Sequence, residues 1–123
     1  MRGLAFYCFF SAAVYALAGM GLGIAMAASH DHTMSTVHAH LNLLGFVSMA
    51  LFGLYYHAVP QAVDRLALAH AIVATLGLWL LIPGIALVYL GMAEGLAVAG
   101  SLVTILAMAL FVIIVLRSRA RPA

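Results

Sequence analysis

Two histidines, His38 and His40, lie two residues apart near the start of an apolar segment that runs from Thr36 to Pro60. Imidazole rings are costly in hydrocarbon unless partners take their protons and lone pairs, so such a pair indicates a functional site. A helix turns by about 100° per residue, which places the two rings roughly 200° apart, on nearly opposite faces. One helix therefore cannot direct both rings at one metal ion, and each ring needs a second ligand from another helix or another copy of the chain.

The chemistry that suits these rings best is axial ligation of haem iron. A neutral imidazole gives one nitrogen to iron and donates its other N–H to a carbonyl or hydroxyl group. Gly45, seven residues after His38 and nearly beneath it on a regular helix, leaves room for a porphyrin. A zinc site is less suitable, because its ligands must converge on one point. The alternative without a cofactor is that both rings bond to neighbouring groups or to interfacial water near Ser35 and Thr36.

The loop before this segment holds a second group of candidate ligands, His30, Asp31 and His32. Outside a helix, two histidines in an HxH pattern can converge, so this group could bind a copper or zinc ion. Solvated loop residues with no ligand are the alternative.

His57 and His70 are predicted to be interfacial anchors beside Tyr55 and Tyr56. His57 is about 25 Å from His40 along a helix, so the two cannot share a metal ion. A role with protons or a quinone stays open for either histidine.

The composition is that of a membrane protein. Hydrophobic residues make up 67% of the 123 residues and charged residues 7%, and the mean hydropathy is +1.22. Such a chain has too little polar surface to cover itself in water. A net charge of +2, spread along the chain, excludes a nucleic-acid partner. The sequence contains no nucleophile motif, phosphate loop or paired carboxylates. Whether the protein is an enzyme stays open. The single cysteine, Cys8, is expected to be a packing residue.

Four apolar runs predict an all-α integral membrane protein, with one four-helix domain over residues 1–123. The predicted transmembrane helices span about residues 4–27, 36–58, 66–90 and 96–116. The first run begins after a basic residue and ends in small residues, as a signal peptide does, but its length favours a retained helix. Gly19 and Gly23 have the GxxxG spacing that lets a second helix or a flat ligand approach closely.

The five arginines predict the orientation, because cytoplasmic flanks of membrane helices retain positive charge. On a four-helix path they all fall on one side, and the first and third loops contain none. Both termini are therefore predicted to be cytoplasmic in a multi-pass protein, with His38 and His40 near the outer face.

The stretch from His38 to Pro60, HAHLNLLGFVSMALFGLYYHAVP, resembles the tenth helix of the catalytic subunit of haem-copper oxidases and their nitric oxide reductase relatives. In that family the first histidine of the HxH pair ligates the high-spin haem and the second the low-spin haem, which implies these roles for His38 and His40. His40 and Asn42 also match an H-x-N context in the family's second helix. Ala69, His70 and Gly77 look like the start of the following helix.

The resemblance also implies an assembly. The family's subunit has twelve helices in three four-helix arcs, and this chain has the length of one arc, without a counterpart of the helix that supplies copper ligands. A homotrimer would rebuild the ring, and each interface would then receive His38 from one chain and His40 from the next. The expected cofactors are up to three b-type haems, in a bacterial-type inner (plasma) membrane.

Three functions follow from these patterns. The first is a haem b-binding membrane cytochrome that transfers electrons, with a redox partner or quinone, because bis-histidine iron has no open position. The second is a reductase or sensor that binds nitric oxide or oxygen. The third is a copper-handling or accessory membrane subunit. An absorption spectrum of the purified protein distinguishes the three.

Overall fold

The computed structural model describes residues 1–122, and its four long helices are each long and apolar enough to cross a membrane. They are α1 (Gly3–Ser29), α2 (Ser35–Ala58), α3 (Arg65–Tyr89) and α4 (Gly95–Arg119). A 3₁₀ turn, Pro60–Ala62, lies between α2 and α3. No strand occurs in residues 1–122. The all-helical, multi-pass prediction is confirmed, and each predicted helix end lies within three residues of the observed one.

α2 departs from a regular α-helix directly after His40. Leu41–Ser48 forms a π-helical segment, in which backbone hydrogen bonds span five residues rather than four and each turn is wider. Within it the Ser48 hydroxyl donates to the Leu43 carbonyl at 2.9 Å. Regular α geometry resumes at Met49–Ala58. The alignment of His38 with Gly45 that 3.6 residues per turn predicts is therefore not the one that this helix has.

Glycines bring α1 and α2 into close contact. A Cβ atom on Gly53 would lie 2.8 Å from the backbone nitrogen of Phe9, and one on Gly19 would lie 2.6 Å from the Asn42 side-chain oxygen. The GxxxG spacing in α1 thus accommodates polar side chains of α2. Cys8 is fully buried among the residues of this contact, as the packing role predicts.

α3 and α4 form the other tight pair, again through glycines. A Cβ atom on Gly84 would lie 2.5 Å from the backbone nitrogen of Ala97, and one on Gly100 would overlap the backbone of Leu81. Such small-residue contacts let helix backbones approach closely. In a membrane this packing stabilises helix association, because the hydrophobic effect does not act between helices surrounded by lipid. Between the two pairs, α1 and α3 are joined by side-chain hydrogen bonds from Tyr7 to Thr75 at 2.8 Å and from Trp79 to Tyr15 at 3.0 Å.

All five arginines lie at one end of the bundle, where α1 and α3 begin and α2 and α4 end. Asp64 caps α3 there, accepting from the backbone N–H groups of Leu66 and Ala67 at 2.9 and 3.1 Å. Arg121 donates to the same carboxylate at 3.1 Å, and Arg117 lies 3.8 Å from it. The hydrogen bond from Ala67, followed by that from Arg121, holds the pKa of Asp64 below its ordinary value. The end of the chain that follows α4 is thus tied to the α2–α3 link.

Candidate functional site

His38 leaves α2 towards α1. Its Nδ1 lies 2.9 Å from the Gly19 carbonyl oxygen. The ring lies against Gly23, where a Cβ atom would come within 3.0 Å of the His38 Cε1 atom. The Asn42 amide donates to the His38 carbonyl at 2.8 Å, one turn along α2. The orientation of His38 is therefore set by two helices, and the half-buried ring depends on glycines in α1 for its space.

His40 leaves α2 on a different side. Its Nδ1 lies 2.9 Å from the carbonyl oxygen of Thr36, one turn earlier in the same helix. The Thr36 hydroxyl donates to the Tyr89 hydroxyl of α3 at 2.8 Å. His40 thus lies on the face of α2 that turns towards α3, whereas His38 turns towards α1. The two rings diverge as the two-residue helical spacing predicts.

Each ring has a backbone carbonyl oxygen 2.9 Å from its Nδ1 atom, and the Nδ1 of His38 also lies 3.4 Å from the Asn42 amide nitrogen, a longer contact. A carbonyl oxygen can only accept, so the Nδ1 that contacts it carries the proton in a neutral imidazole. In both rings Nε2 then keeps its lone pair. This is the arrangement found in metal-ligating histidines, which donate one ring N–H to a carbonyl or carboxylate and coordinate through the other nitrogen. Each of the two histidines could therefore give one lone pair to an iron atom.

Gly45 and Asn42 both make contacts with α1 of their own chain. A Cβ atom on Gly45 would lie 2.9 Å from the Tyr15 Cβ atom, so the room beside this glycine is filled by α1. Asn42 packs against Gly19 and bonds to the backbone of His38. Within one chain Gly45 therefore lies at the contact of α2 with α1, and Asn42 bonds to the backbone of His38. The roles of Gly45 and Asn42 at a cofactor stay predictions.

The loop residues His30, Asp31 and His32 do not come together as a metal site in one chain. His30 ends α1 in the left-handed conformation, with φ of 56°. The Asp31 carboxylate accepts from the Thr33 hydroxyl at 2.6 Å and from the Thr33 backbone N–H at 3.0 Å. These bonds lower the pKa of Asp31. Across residues 1–122, no three or more His, Cys, Asp or Glu side chains are grouped so that they could hold a metal ion.

The prediction that His70 is an interfacial anchor is wrong. His70 is 0% exposed and lies in the main core of the bundle. Its Nδ1 lies 2.7 Å from the Tyr56 hydroxyl, and its ring packs edge-on against Phe52 with centroids 4.5 Å apart. Its Nε2 is buried with no hydrogen-bond partner in residues 1–122. His57, which directly follows Tyr56 in α2, is exposed.

A signal for the buried position of His70 does exist in the sequence. Ala67, Ala71 and Ala74 lie three to four residues from His70 or from one another, and so share its helix face. In a membrane helix, hydrophobicity does not distinguish the packed face from the lipid-facing one, because both are apolar. Small residues do mark the packed face, because they let another helix approach closely. The small residues around His70 therefore indicate the core, although the imidazole itself is polar.

The chain matches no protein-family model, no curated protein sequence and no solved structure. The assignment of function therefore depends on the geometry of the histidines and on the sequence resemblance.

Proposed function

We propose that the protein is a membrane cytochrome b in which His38 and His40 are axial haem ligands shared between protomers. The observation that supports this most is that both half-buried rings bond through Nδ1 to a backbone carbonyl, at 2.9 Å in each case. Backbone carbonyls fix the tautomer and the ring plane, and leave each Nε2 as a ligand. Two such rings on different faces of one membrane helix suit two separate iron sites better than one.

The proposed assembly is a homotrimer with up to three equivalent haems. A closed ring lets every interface take His38 from one chain and His40 from the next, so that no ligand is left over. The four membrane-length helices correspond in number to one arc of the resembled family, in which three arcs make the ring. The two halves of the bundle also differ in how much they bury within one chain. The larger buried cluster, in the arginine half, includes Cys8 and Tyr56. The buried residues of the cluster near the histidines are Val37, Leu81 and Ile85.

The residues of this chain would hold the haem and fix its surroundings. The Gly19 and Thr36 carbonyls orient the two imidazoles through their Nδ1 atoms, and the Asn42 amide bonds to the His38 carbonyl. A bound haem would supply a centre that accepts and releases one electron. With one histidine from each of two chains, the iron would have no open position, which would favour electron exchange with a redox partner or quinone over reaction with a gas.

The proposed orientation places the arginine end at the cytoplasm of a bacterial-type inner membrane. All five arginines lie at that end of the bundle, and positive charge is retained on the cytoplasmic side. His38 and His40, at the opposite end, would then be near the outer face.

The visible spectrum of the purified protein, with a haem-to-protein ratio, tests the proposal. We expect a sharp reduced α-band that carbon monoxide does not shift. A band that shifts with carbon monoxide would instead indicate an open iron position and a gas-binding reductase or sensor. A colourless protein that contains copper would contradict the haem assignment and favour copper handling.

Single substitutions test the ligands. In His40→Ala we expect haem retention to be lost, because the removed ring bonds only to its own helix and the fold should survive. His38→Ala should lose haem too, but it also removes a contact between α1 and α2, so added imidazole is the control for ligand loss. His57→Ala, an exposed histidine at the far end of α2, should keep the wild-type ratio. Wild-type haem content in both ligand variants would refute the assignment.

Mass measurement in a mild detergent tests the assembly. The expected particle contains three copies of the chain. A stable monomer that keeps its haem would contradict sites shared between chains.

A further inference from the structure

A groove of about 370 Å³ lies at the arginine end of the bundle, between the last turns of α2 and α4. Its walls are apolar at Val59 and Val115, and Arg119 and Arg121 line it as well. A groove that combines apolar walls with arginines differs from the lipid-facing surface of the helices, which is apolar along its length.

The two arginines differ in how they are held. Arg121 donates to the Gln61 carbonyl at 3.1 Å and to the Asp64 carboxylate at 3.1 Å, so part of its charge is neutralised within the chain. Arg119 is exposed and makes no ion pair within residues 1–122. Around the groove, the arginines of α3 and α4 and of the segment after α4 number four against the single Asp64, which leaves three positive charges. The groove therefore lies in a field that attracts an anion.

The depth of the groove in the membrane follows from Tyr55, which also lines it. The Ser118 hydroxyl donates to the Val115 carbonyl at 3.1 Å, so the Tyr55 hydroxyl, 2.6 Å from Ser118, is the donor of that second bond. Tyrosines at helix ends lie at the level of lipid headgroups. The rim of the groove is thus at headgroup depth, with the valines on the hydrocarbon side.

We propose that this groove binds an anionic phospholipid, with the phosphodiester at Arg119 and an acyl chain against Val59 and Val115. Arginine offers several N–H donors in a planar fork that matches phosphate oxygens. Basic pockets between transmembrane helices on the cytoplasmic side are typical sites for anionic headgroups. The apolar walls favour a lipid over a free anion, which would leave them uncovered. This site is independent of the histidines and of any haem.

The test compares melting midpoints of the full-length protein in a non-ionic detergent with added phosphatidylglycerol or phosphatidylcholine. We expect phosphatidylglycerol to raise the midpoint of the wild type by a few degrees more than phosphatidylcholine does. Arg119→Gln should lose at least half of this difference. Arg2→Gln, which removes the same charge at the same end but outside the groove, should keep it. Native mass spectrometry should show one anionic lipid retained per chain in the wild type and in Arg2→Gln, but not in Arg119→Gln.

Three results would overturn the proposal. The first is an equal shift with both lipids in the wild type. The second is an equal loss in Arg119→Gln and Arg2→Gln, which would mean that the attraction comes from the overall charge of this end. The third is a shift of the same size with inorganic phosphate alone, which would indicate a free-anion site.

Discussion

At the scale of single residues, His38, His40 and His70 differ in the group that contacts the Nδ1 atom of the ring. His38 and His40 have a carbonyl at Nδ1, which fixes one tautomer and leaves a lone pair at Nε2. His70 has a hydroxyl at Nδ1, and a hydroxyl can donate or accept, so its tautomer is not fixed in the same way. Of these three, only His38 and His40 therefore have a defined lone pair at Nε2, and His70 is a core residue that links α2 to α3.

The bond between Tyr56 and His70 is expected to stabilise the fold. Tyr56→Phe would leave the His70 Nδ1 without a partner in addition to its Nε2, so we expect a lower free energy of unfolding. In a double-mutant cycle with His70→Leu, the coupling should be about 0.6 to 1.7 kcal/mol, the scale of side-chain hydrogen bonds measured inside membranes. Reversible unfolding in mixed micelles provides the measurement.

Tyr7→Phe is the matched control for that cycle. It removes a hydrogen bond of similar length, to Thr75, but the Thr75 hydroxyl keeps its own bond to the Ala71 carbonyl at 2.8 Å, so no buried polar atom loses its last partner. The stability of this variant should stay close to that of the wild type. Additive effects of Tyr56→Phe and His70→Leu would mean that the buried bond contributes nothing.

Asp64 should make the stability depend on pH. The folded state holds the pKa of this carboxyl below its ordinary value of 3.8, so its contribution is complete above that value and is lost as the pH falls through the folded pKa. Asp64→Asn keeps an acceptor that can cap α3 but removes the ion pairs with Arg117 and Arg121. At neutral pH we expect a loss of less than about 1 kcal/mol, because these pairs are partly exposed.

The measurement for Asp64 is the difference in melting midpoint between the wild type and Asp64→Asn from pH 7 to pH 3. The difference should be constant at the upper end and should shrink below about pH 4, as the wild-type carboxyl is protonated. Glu94→Gln, at the opposite end of the bundle and outside these ion pairs, serves as the comparison for general acid effects. A difference that widens as the pH falls would contradict the assigned contacts.

At the scale of elements, the four helices could be predicted from the sequence but their internal contacts could not. Bilayer thickness sets the length of an apolar run, so helix number and helix ends follow from composition. The π-helical segment Leu41–Ser48 has no comparable signal, because its hydrogen bonds depend on how α2 packs against α1. The contact of Gly45 with Tyr15 is missed for the same reason. His70 is missed because hydropathy does not separate core from lipid-facing positions in a membrane helix.

The close approach of α3 and α4 is expected to depend on Gly100. A Cβ atom there would overlap backbone atoms of Leu80 and Leu81, which cannot move aside as a side chain can. Gly100→Ala should therefore lower the free energy of unfolding by about 1 to 3 kcal/mol. Gly21→Ala places the same methyl group where nothing lies within 4 Å, so it should be neutral or slightly stabilising. Equal stabilities of the two variants would contradict this helix contact.

At the scale of the whole molecule, one chain presents two diverging histidines at one end and a basic groove at the other. The larger buried cluster holds the arginine half together through Tyr56 and His70. The smaller cluster at the histidine end leaves more of the helix surface for contacts with other copies. The proposed trimer places its shared sites in the half of the bundle that is less completely packed within one chain.

Mixed trimers test the shared sites most directly. In a cyclic trimer made from His38→Ala and His40→Ala chains, every mixed particle has one interface at which an intact His38 meets an intact His40. Random mixing of equal amounts should therefore restore haem to about a quarter of the wild-type content, although neither variant alone retains it. The measurement is the haem-to-protein ratio after co-expression, with the two variants expressed separately and mixed after purification as the control. If both ligands of each haem came from one chain, co-expression would restore nothing, since no chain in the mixture carries both histidines.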